Sequence, residues 1–202
     1  MADLIDHEEF SALAPAGYYV ALRVGFAFPL IEVNALPDDW VAHYTAQRFM
    51  LFDPVIRWLY ANVGATRWSE IGLDDDREVI AQARDYGLHH GIAISCFDDM
   101  SDGQRSFGSF VRGDRDFEVD EIEVLHEHMW RLHRESAPPS NLTDAELEVL
   151  RMVKDGMRLK QIAHEIGVTE GAVKQRLRNA KTKLRAQTGA QAAAKAHEFG
   201  LL

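Results

Sequence analysis

Cysteine is nearly missing from this chain. Cys96 is the only one in 202 residues, which excludes an intrachain disulfide and a cysteine-built zinc site and makes a reducing cytoplasm the expected compartment. Long apolar runs are missing too. None approaches the ~18–20 residues of a membrane-spanning helix, and the N-terminal MADLIDHEEF is acidic where an export signal is basic, so no membrane association is expected. There is no glycine-rich phosphate loop, no internal repeat and no low-complexity segment. Histidines are present but scattered: His89 and His90 precede Gly91 in a loop, and on the helical stretch that carries His126, His128 and His133, positions 126 and 128 face different sides. No metal site, cofactor or catalytic residue is expected, and the chain is read as a non-enzyme.

Apolar residues make up 47% of the chain, enough for a real core, and the length allows one large domain or a medium one plus a small one. The net charge of −10 argues against nucleic-acid binding until it is divided along the chain. From Ala137 onward, 11 Lys and Arg stand against 7 Asp and Glu, while the 136 residues before it hold the other 11 basic and 25 acidic groups. An acidic body is joined to a basic tail, and only the tail is a candidate for phosphate contact.

The stretch RESAPPSN (134–141) interrupts helical patterning with two prolines and small polar residues. It marks a linker at 136–141 between a domain over 1–135 and a second over 142–202. In the first, the patterning predicts a helix around 6–13, strands at 18–28 and 30–34 joined at Pro29, and helices over 38–50, 54–63 and 74–86. Strands at 91–97 and 106–113 flank the turn-forming DDMSDGQ, and a helix over 117–135 closes the domain. The fold class expected is α+β: an α/β/α sandwich around an antiparallel sheet, followed by an all-α four-helix domain.

The tail carries the clearest local signals. Thr143 and Glu146 form a capping-box pattern, with Leu142 and Leu147 placed for the accompanying hydrophobic staple, and Gly156 stops the helix they open. Ile162, Ala163 and Ile166 mark a short second helix ending at Gly167, and Thr169 caps a third. On that third helix Val173, Leu177, Ala180 and Leu184 recur at i, i+4, i+7 and i+11, an apolar face. One residue on, Lys174, Arg178, Lys181 and Arg185 repeat the spacing as a cationic face about 100° around. Helix, short helix, turn and basic helix is a helix-turn-helix arrangement, whose last helix enters the major groove of double-stranded DNA. A solvated basic helix on a small bundle is the plainer alternative. Beyond it, Thr188 and Gln191 repeat the capping pattern before an alanine-rich helix, compatible with close helix approach in self-association.

With those residues in view, the tail resembles the C-terminal helix-turn-helix of LuxR-type transcription factors: Glu146, Leu150 and Gly156 stand at that family's spacing. The resemblance implies that Lys174 and Arg178 reach bases, and the candidate DNA-facing set is Thr169, Lys174, Gln175, Arg178, Lys181 and Arg185. A phosphoreceiver ahead of the tail would need repeated strand–helix units with an aspartate at a strand end, which residues 1–136 do not offer. Instead Trp40, Tyr44, Asp53 and Trp68, with Pro37 before and Pro54 after Asp53, are similar to the signature of the acyl-homoserine-lactone-binding domain of quorum-sensing LuxR-type regulators.

The resemblance implies a pocket in which the indole N–H of Trp40 meets the lactone carbonyl. The Asp53 carboxylate would meet the ligand amide N–H, the Tyr44 hydroxyl its amide carbonyl, and Trp68 would lie against the ring. Each residue also has a plainer reading. Trp40 and Tyr44 at i, i+4 suit a core, Trp68 likewise, and Asp53 before Pro54 suits a helix N-cap, which does not exclude a ligand contact.

The chain departs from the family pattern in three ways. About 17 residues precede the first expected strand, fewer than relatives usually carry, which predicts a more open pocket or a less stable domain. Leu36, Val55 and Ala93 are plain where polar or aromatic contacts are common. The strand hydroxyl that often meets the amide carbonyl is assigned to Ser109, with Val111 as the alternative. The function implied is a cytoplasmic homodimeric transcription regulator that binds promoter DNA, an N-acyl-homoserine lactone autoinducer and RNA polymerase. The alternative is a ligand-independent or vestigial regulator of the same type acting by dimerisation. A lactone-cleaving enzyme would need a nucleophile or metal cluster that the sequence does not display.

Overall fold

The computed structural model describes residues 5–25, 28–98 and 103–202. The chain divides into two compact units, Met1–Ala137 and Pro138–Leu202.

In the first unit a five-stranded antiparallel sheet has the order β2-β1-β5-β4-β3, with β1 Gly17–Val24, β2 Pro29–Asn34, β3 Gly64–Arg67, β4 His90–Phe97 and β5 Arg105–Arg112. Alternation of side chains across each strand divides its residues between two layers. On one face Tyr18, Val20, Leu22, Ile92, Ile94, Cys96 and Phe110 pack with Phe10 of α1 (His7–Leu13) and with Leu125, Met129 and Leu132 of α5 (Val119–Glu135). Fully burying a side chain of this size stabilises by about 1.5–3 kcal/mol, so this layer is the mechanical core. The other face is covered by α2 (Asp38–Ala46), α3 (Pro54–Ala61) and α4 (Val79–Ala83) through two separate clusters. One centres on Val55, Leu59 and Phe107. The other centres on Trp40, Phe49, Leu88 and Val111. The sandwich of helices around an antiparallel sheet is as expected.

Several element bounds differ from expectation, each for a local reason. The helix expected over 38–50 ends at Ala46, because Arg48 turns into the left-handed region (φ 55°) and a 3₁₀ turn, Phe49–Leu51, follows. The helix expected over 74–86 is only Val79–Ala83 plus a 3₁₀ turn. The Asp75 carboxylate accepts the N–H groups of Val79 (2.8 Å) and Ile80 (3.0 Å), so the acidic run before it serves as a cap. Strand β3 has no counterpart among the expected elements: GATR is too short and too little apolar to show a period of two. The first strand ends at Val24 rather than 28, and residues 26 and 27, like 99–102 of the expected turn, lie outside the described residues.

The second unit is four helices, α6 Asp144–Lys154, α7 Leu159–Glu165, α8 Glu170–Lys183 and α9 Gly189–Glu198. The capping box of α6 forms in both directions between Thr143 and Glu146, and Gly156 and Gly167 take the left-handed conformation (φ 80° and 66°) that ends α6 and α7. Leu142 packs into the cluster of Leu150, Ala180 and Leu184. Ala192, Ala193 and Ala196 are buried in that same cluster, so the alanine face of α9 is used inside the unit and is not free for the self-association its composition allowed.

Candidate functional site

The two helix-covered clusters of the first unit meet along a seam at Trp68, which packs against both, while Trp40 and Tyr44 belong to one of them. Antiparallel register places Tyr19 opposite Ser109, and Ser109 opposite Ala93, in one row across β1, β5 and β4. Directly opposite residues share a face, and Ser109 lies between Phe107 and Val111, which belong to different clusters. The floor is therefore made of small residues, Ala21, Ala93, Ser109 and Gly91, with Trp68 laid over Gly91 so closely that a Cβ there would come within 2.1 Å of the indole. Trp68 packs against both clusters and spans the seam.

Asp53 stands at the N-terminus of α3, where Pro54 at the first helical position leaves no N–H to satisfy. Its Oδ1 accepts the Val55 N–H at 2.7 Å and its Oδ2 accepts the Tyr44 hydroxyl at 2.8 Å. The residue is only 7% exposed. Burial pushes the carboxyl above its ordinary range, while the bonds from Tyr44 and the helix N-terminus pull it back. The Tyr44 phenol is pushed strongly upward by burial first and by the Asp53 charge second. Cap and recognition readings coexist here, because an ionised carboxylate has lone pairs for about four donors and two are used.

The hydrogen bonds redistribute the roles expected of these residues. Tyr44 has one hydroxyl proton and gives it to Asp53, so it holds the carboxylate in place and does not donate to a carbonyl in this arrangement. Ser109, 8% exposed, is another hydroxyl on that sheet face, in the row with Tyr19 and Ala93. Trp40 is 4% exposed and ringed by Tyr44, Phe49 and Tyr86 at centroid distances of 5.5, 6.2 and 5.4 Å, the environment of a core aromatic. The indole N–H that is buried without a partner belongs to Trp68. An unpaired buried donor costs about 1–3 kcal/mol, so the seam holds one donor in need of an acceptor. Leu36 and Val55 are packed in the flanking clusters, in line with their apolar character.

Sequence reading missed Tyr19. Its hydroxyl donates to Glu32 Oε1 at 2.7 Å, and burial with that carboxylate pushes its phenol upward. Only the strand register brings it beside Ser109, and no local motif carries that register. An open depression of about 350 Å³ lies elsewhere, between the α1–β1 connection and the start of α2, and includes none of the candidate ligand residues.

In the second unit α8 is positioned by its buried edge. Val173, Ala180 and Leu184 are buried and Leu177 is partly so, tying α8 to both clusters of the unit. Thr169 caps it by accepting the Ala172 N–H at 3.1 Å. Lys174 and Arg178 are exposed and Lys181 is half-buried on the face about 100° around from that edge. Lys174 pairs with Glu170 at 2.7 Å, an exposed i,i+4 pair that a phosphate can replace. Gln175 donates to Asn179 at 2.9 Å, which adds Asn179, unforeseen, to the polar groups presented by this face.

Arg185 departs from the expected stripe: α8 ends at Lys183, and Arg185 follows the C-cap in the left-handed region (φ 49°), off the helical face. Lys183 serves inside the unit. Its Nζ lies 2.7 and 3.0 Å from the two oxygens of Glu146, itself 4% exposed, and 2.7 Å from the Asn141 carbonyl. Burial opposes the Glu146 charge, but Lys183 and the cap N–H outweigh it and hold the carboxyl below its ordinary range. Among the described residues no group of three or more His, Cys, Asp or Glu could hold a metal ion, and no helix is long and apolar enough to cross a membrane.

Comparison with known proteins agrees with both halves of this arrangement. The family model described as the autoinducer binding domain matches residues 23–135, and that of bacterial regulatory proteins of the luxR family matches residues 140–196. The transcriptional activator protein AnoR of Acinetobacter nosocomialis is 29% identical over 188 residues, 85% of this chain and 78% of AnoR. The regulatory protein SdiA of Escherichia coli (strain K12) is 25% identical over 179 residues, 82% of this chain and 74% of SdiA. A solved structure of SdiA in complex with octanoyl-rac-glycerol is 23% identical, covers 99% of this chain and 88% of its own, and has a TM-score of 0.50, a likeness of fold. The chain therefore belongs to the LuxR family of bacterial transcription regulators, with an autoinducer binding domain in front of a LuxR-type helix-turn-helix.

Proposed function

We propose that the first unit binds an N-acyl-homoserine lactone in the seam between its two apolar clusters, and that binding controls dimerisation of the chain and its hold on promoter DNA. The observation that carries this reading is the pairing of a buried, orienting Tyr44–Asp53 bond with the unpartnered indole N–H of Trp68. An acyl-homoserine lactone offers one amide N–H, two carbonyls and an apolar tail. Asp53 accepts the amide N–H, Ser109 and the Trp68 N–H are the donors for carbonyls, and Phe107 with Leu59 and Tyr60 forms apolar surface for the tail. The second unit reads DNA with Lys174, Gln175, Arg178 and Lys181 on one edge of α8, Thr169 fixing its start and Arg185 reaching phosphate from beyond its end. Function as a homodimer in the cytoplasm, in contact with RNA polymerase, completes the reading. The chemistry is an equilibrium shift between two states, not a catalysed reaction.

A second reading, a ligand-independent regulator acting by dimerisation, draws on the core-like packing of Trp40 and the apolar Leu36 and Val55. Native mass spectrometry of protein purified from cells fed a mixture of acyl-homoserine lactones separates the two. A retained molecule whose mass gives its chain length is the expected result. Folded, dimeric, DNA-binding protein with an empty seam establishes the second reading instead.

A further inference from the structure

A buried polar network stands where the first unit ends, and neither the ligand site nor the DNA helix uses it. His133, in the last turn of α5, has a side chain only 1% exposed. Its Nδ1 is 2.8 Å from Ser106 Oγ on β5, and its Nε2 is 2.9 Å from Asp98 Oδ1 just after β4. Serine, histidine and aspartate are also the parts of a hydrolase triad, but there the serine sits on Nε2 and the aspartate on Nδ1, the reverse of this ring. The surroundings give them another use. Ser106 is fully buried and its oxygen already accepts the backbone N–H of Arg23 at 2.9 Å, so no substrate carbonyl reaches it. One proton assignment satisfies every atom: Ser106 donates to Nδ1, and a neutral His133 donates from Nε2 to Asp98. Burial, and then the Arg23 charge, push the imidazole below its ordinary range in agreement.

Arg23 closes the network. Its Nε donates to the His133 carbonyl at 2.8 Å, Nη2 donates to the same carbonyl, and Nη1 pairs with Asp98. The guanidinium thus satisfies one of the carbonyls that a helix C-terminus leaves without an intrahelical partner. Ser136 donates its hydroxyl to the carbonyl of Leu132 at 2.7 Å and reaches that of His133 at 3.2 Å. Arg23 is 4% exposed and adopts φ 53°, at a break in the β1–β5 register between Ala21 and Val24. A non-glycine residue held there is over-determined by its neighbours.

The placement along the strands matters. β1 carries Tyr19 and Arg23, and β5 carries Ser109 and Ser106. Tyr19 and Ser109 face each other in the ligand seam, whereas Arg23 and Ser106 meet in the network on the opposite layer. One strand pair joins the ligand site to the turn from which the chain leaves the unit at Ala137.

We propose that Arg23 and His133 are positioning residues whose network with Ser106 and Asp98 holds the exit turn of α5 and transmits ligand occupancy along β1 and β5 to it. The proposal rests on the ligand-controlled reading above, and its test separates the two. The full chain is compared with Ser106→Ala and with Arg23→Gly, which removes the guanidinium at a position whose left-handed backbone glycine accepts. Three quantities are read: affinity for octanoyl-homoserine lactone, the ratio of operator Kd without and with it on DNA selected from a random pool, and hydrogen exchange at the Ser136 and Ala137 amides. The expected result is lactone affinity within twofold of the parent, a ratio moved at least fivefold toward one, and exchange at those amides at least tenfold faster. Unchanged ratio and exchange overturn the proposal. So does loss of lactone affinity in parallel with thermal stability, which makes the network a folding element only. If the parent chain itself shows a ratio of one, ligand control fails as a reading and the transmission of occupancy falls with it, while the exchange arm still decides the clamp: faster exchange sustains it and unchanged exchange overturns it.

Discussion

In the C-terminal unit the candidate contact residues follow one another along α8 and just past its end, and all are exposed or half-exposed. In the N-terminal unit they come from α2, the cap of α3, the 3₁₀ turn after β3 and the middle of β5, and they are buried or half-buried. A DNA-reading edge can be made by one helix because its partner is large, outside and wet. A small-molecule site has to be enclosed, so its polar groups must be brought from distant segments and each must be bonded or left with an energetic debt. The difference shows in what the residues do before any partner arrives: Lys174 and Gln175 bond to neighbours one turn away on the same helix, whereas Asp53 is held by a tyrosine of another helix.

Four substitutions probe this contrast, from the largest expected effect to the smallest. Gly91→Val drives a side chain into the Trp68 indole, where even a Cβ would approach to 2.1 Å. Overpacking of this kind costs about 1–3 kcal/mol, and the displaced indole no longer spans the seam. The expected outcome is no retained ligand by native mass spectrometry, and DNA binding that no longer changes when an acyl-homoserine lactone is added.

Asp53→Asn removes the charge while keeping a cap acceptor. A hydrogen bond to a charged group is worth about 1.5–3 kcal/mol, so titration calorimetry should show ligand affinity falling roughly 10- to 150-fold. Stability moves the other way. The Asp53 carboxyl is raised in the folded state, so its contribution is fully present below the unfolded pKa and is lost as pH rises through the folded value. The thermal midpoint of the Asn variant relative to the parent should therefore climb between acidic and neutral pH, and a flat difference would contradict the burial argument.

Arg178→Ala takes away an exposed cation of α8 and should cost about 1–3 kcal/mol at one operator position and relax specificity there. Anisotropy titrations across mutated operators check it, since a loss uniform over all sequences assigns Arg178 to phosphate instead. Trp68→Phe deletes the unpartnered N–H together with part of the indole's apolar area. Lactone affinity should fall about tenfold or less, and an acyl cyclopentylamide, which lacks the lactone carbonyl, should lose less than the lactone does.

The same contrast explains what could be read from the chain without coordinates. Thr143, Glu146 and Gly156 act within a turn or two of their own positions, so the caps and stops of α6 were legible as they stand. The row Tyr19–Ser109–Ala93 was not, because it depends on the pairing of three strands spread over most of the first unit. Asp75 misled for a related reason: in an acidic run followed by apolar residues, nothing local says whether the acid opens a helix or lies inside it, and here both of its oxygens are occupied in capping. The family resemblance supplied Asp53 and Trp68, but their hydrogen bonds, Tyr44 as orienter and Trp68 as the unpaired donor, required the fold.

The ion pair of Lys183 with Glu146 has a consequence for how this protein responds to salt. Cations that replace condensed counterions on a DNA duplex contribute about −0.9 each to the slope of log affinity against log salt. Lys183 belongs to the DNA-reading helix by sequence, yet it meets a buried carboxylate and so displaces no counterion. The salt slope of DNA binding is therefore expected to be shallower than the tail's overall count of lysines and arginines implies.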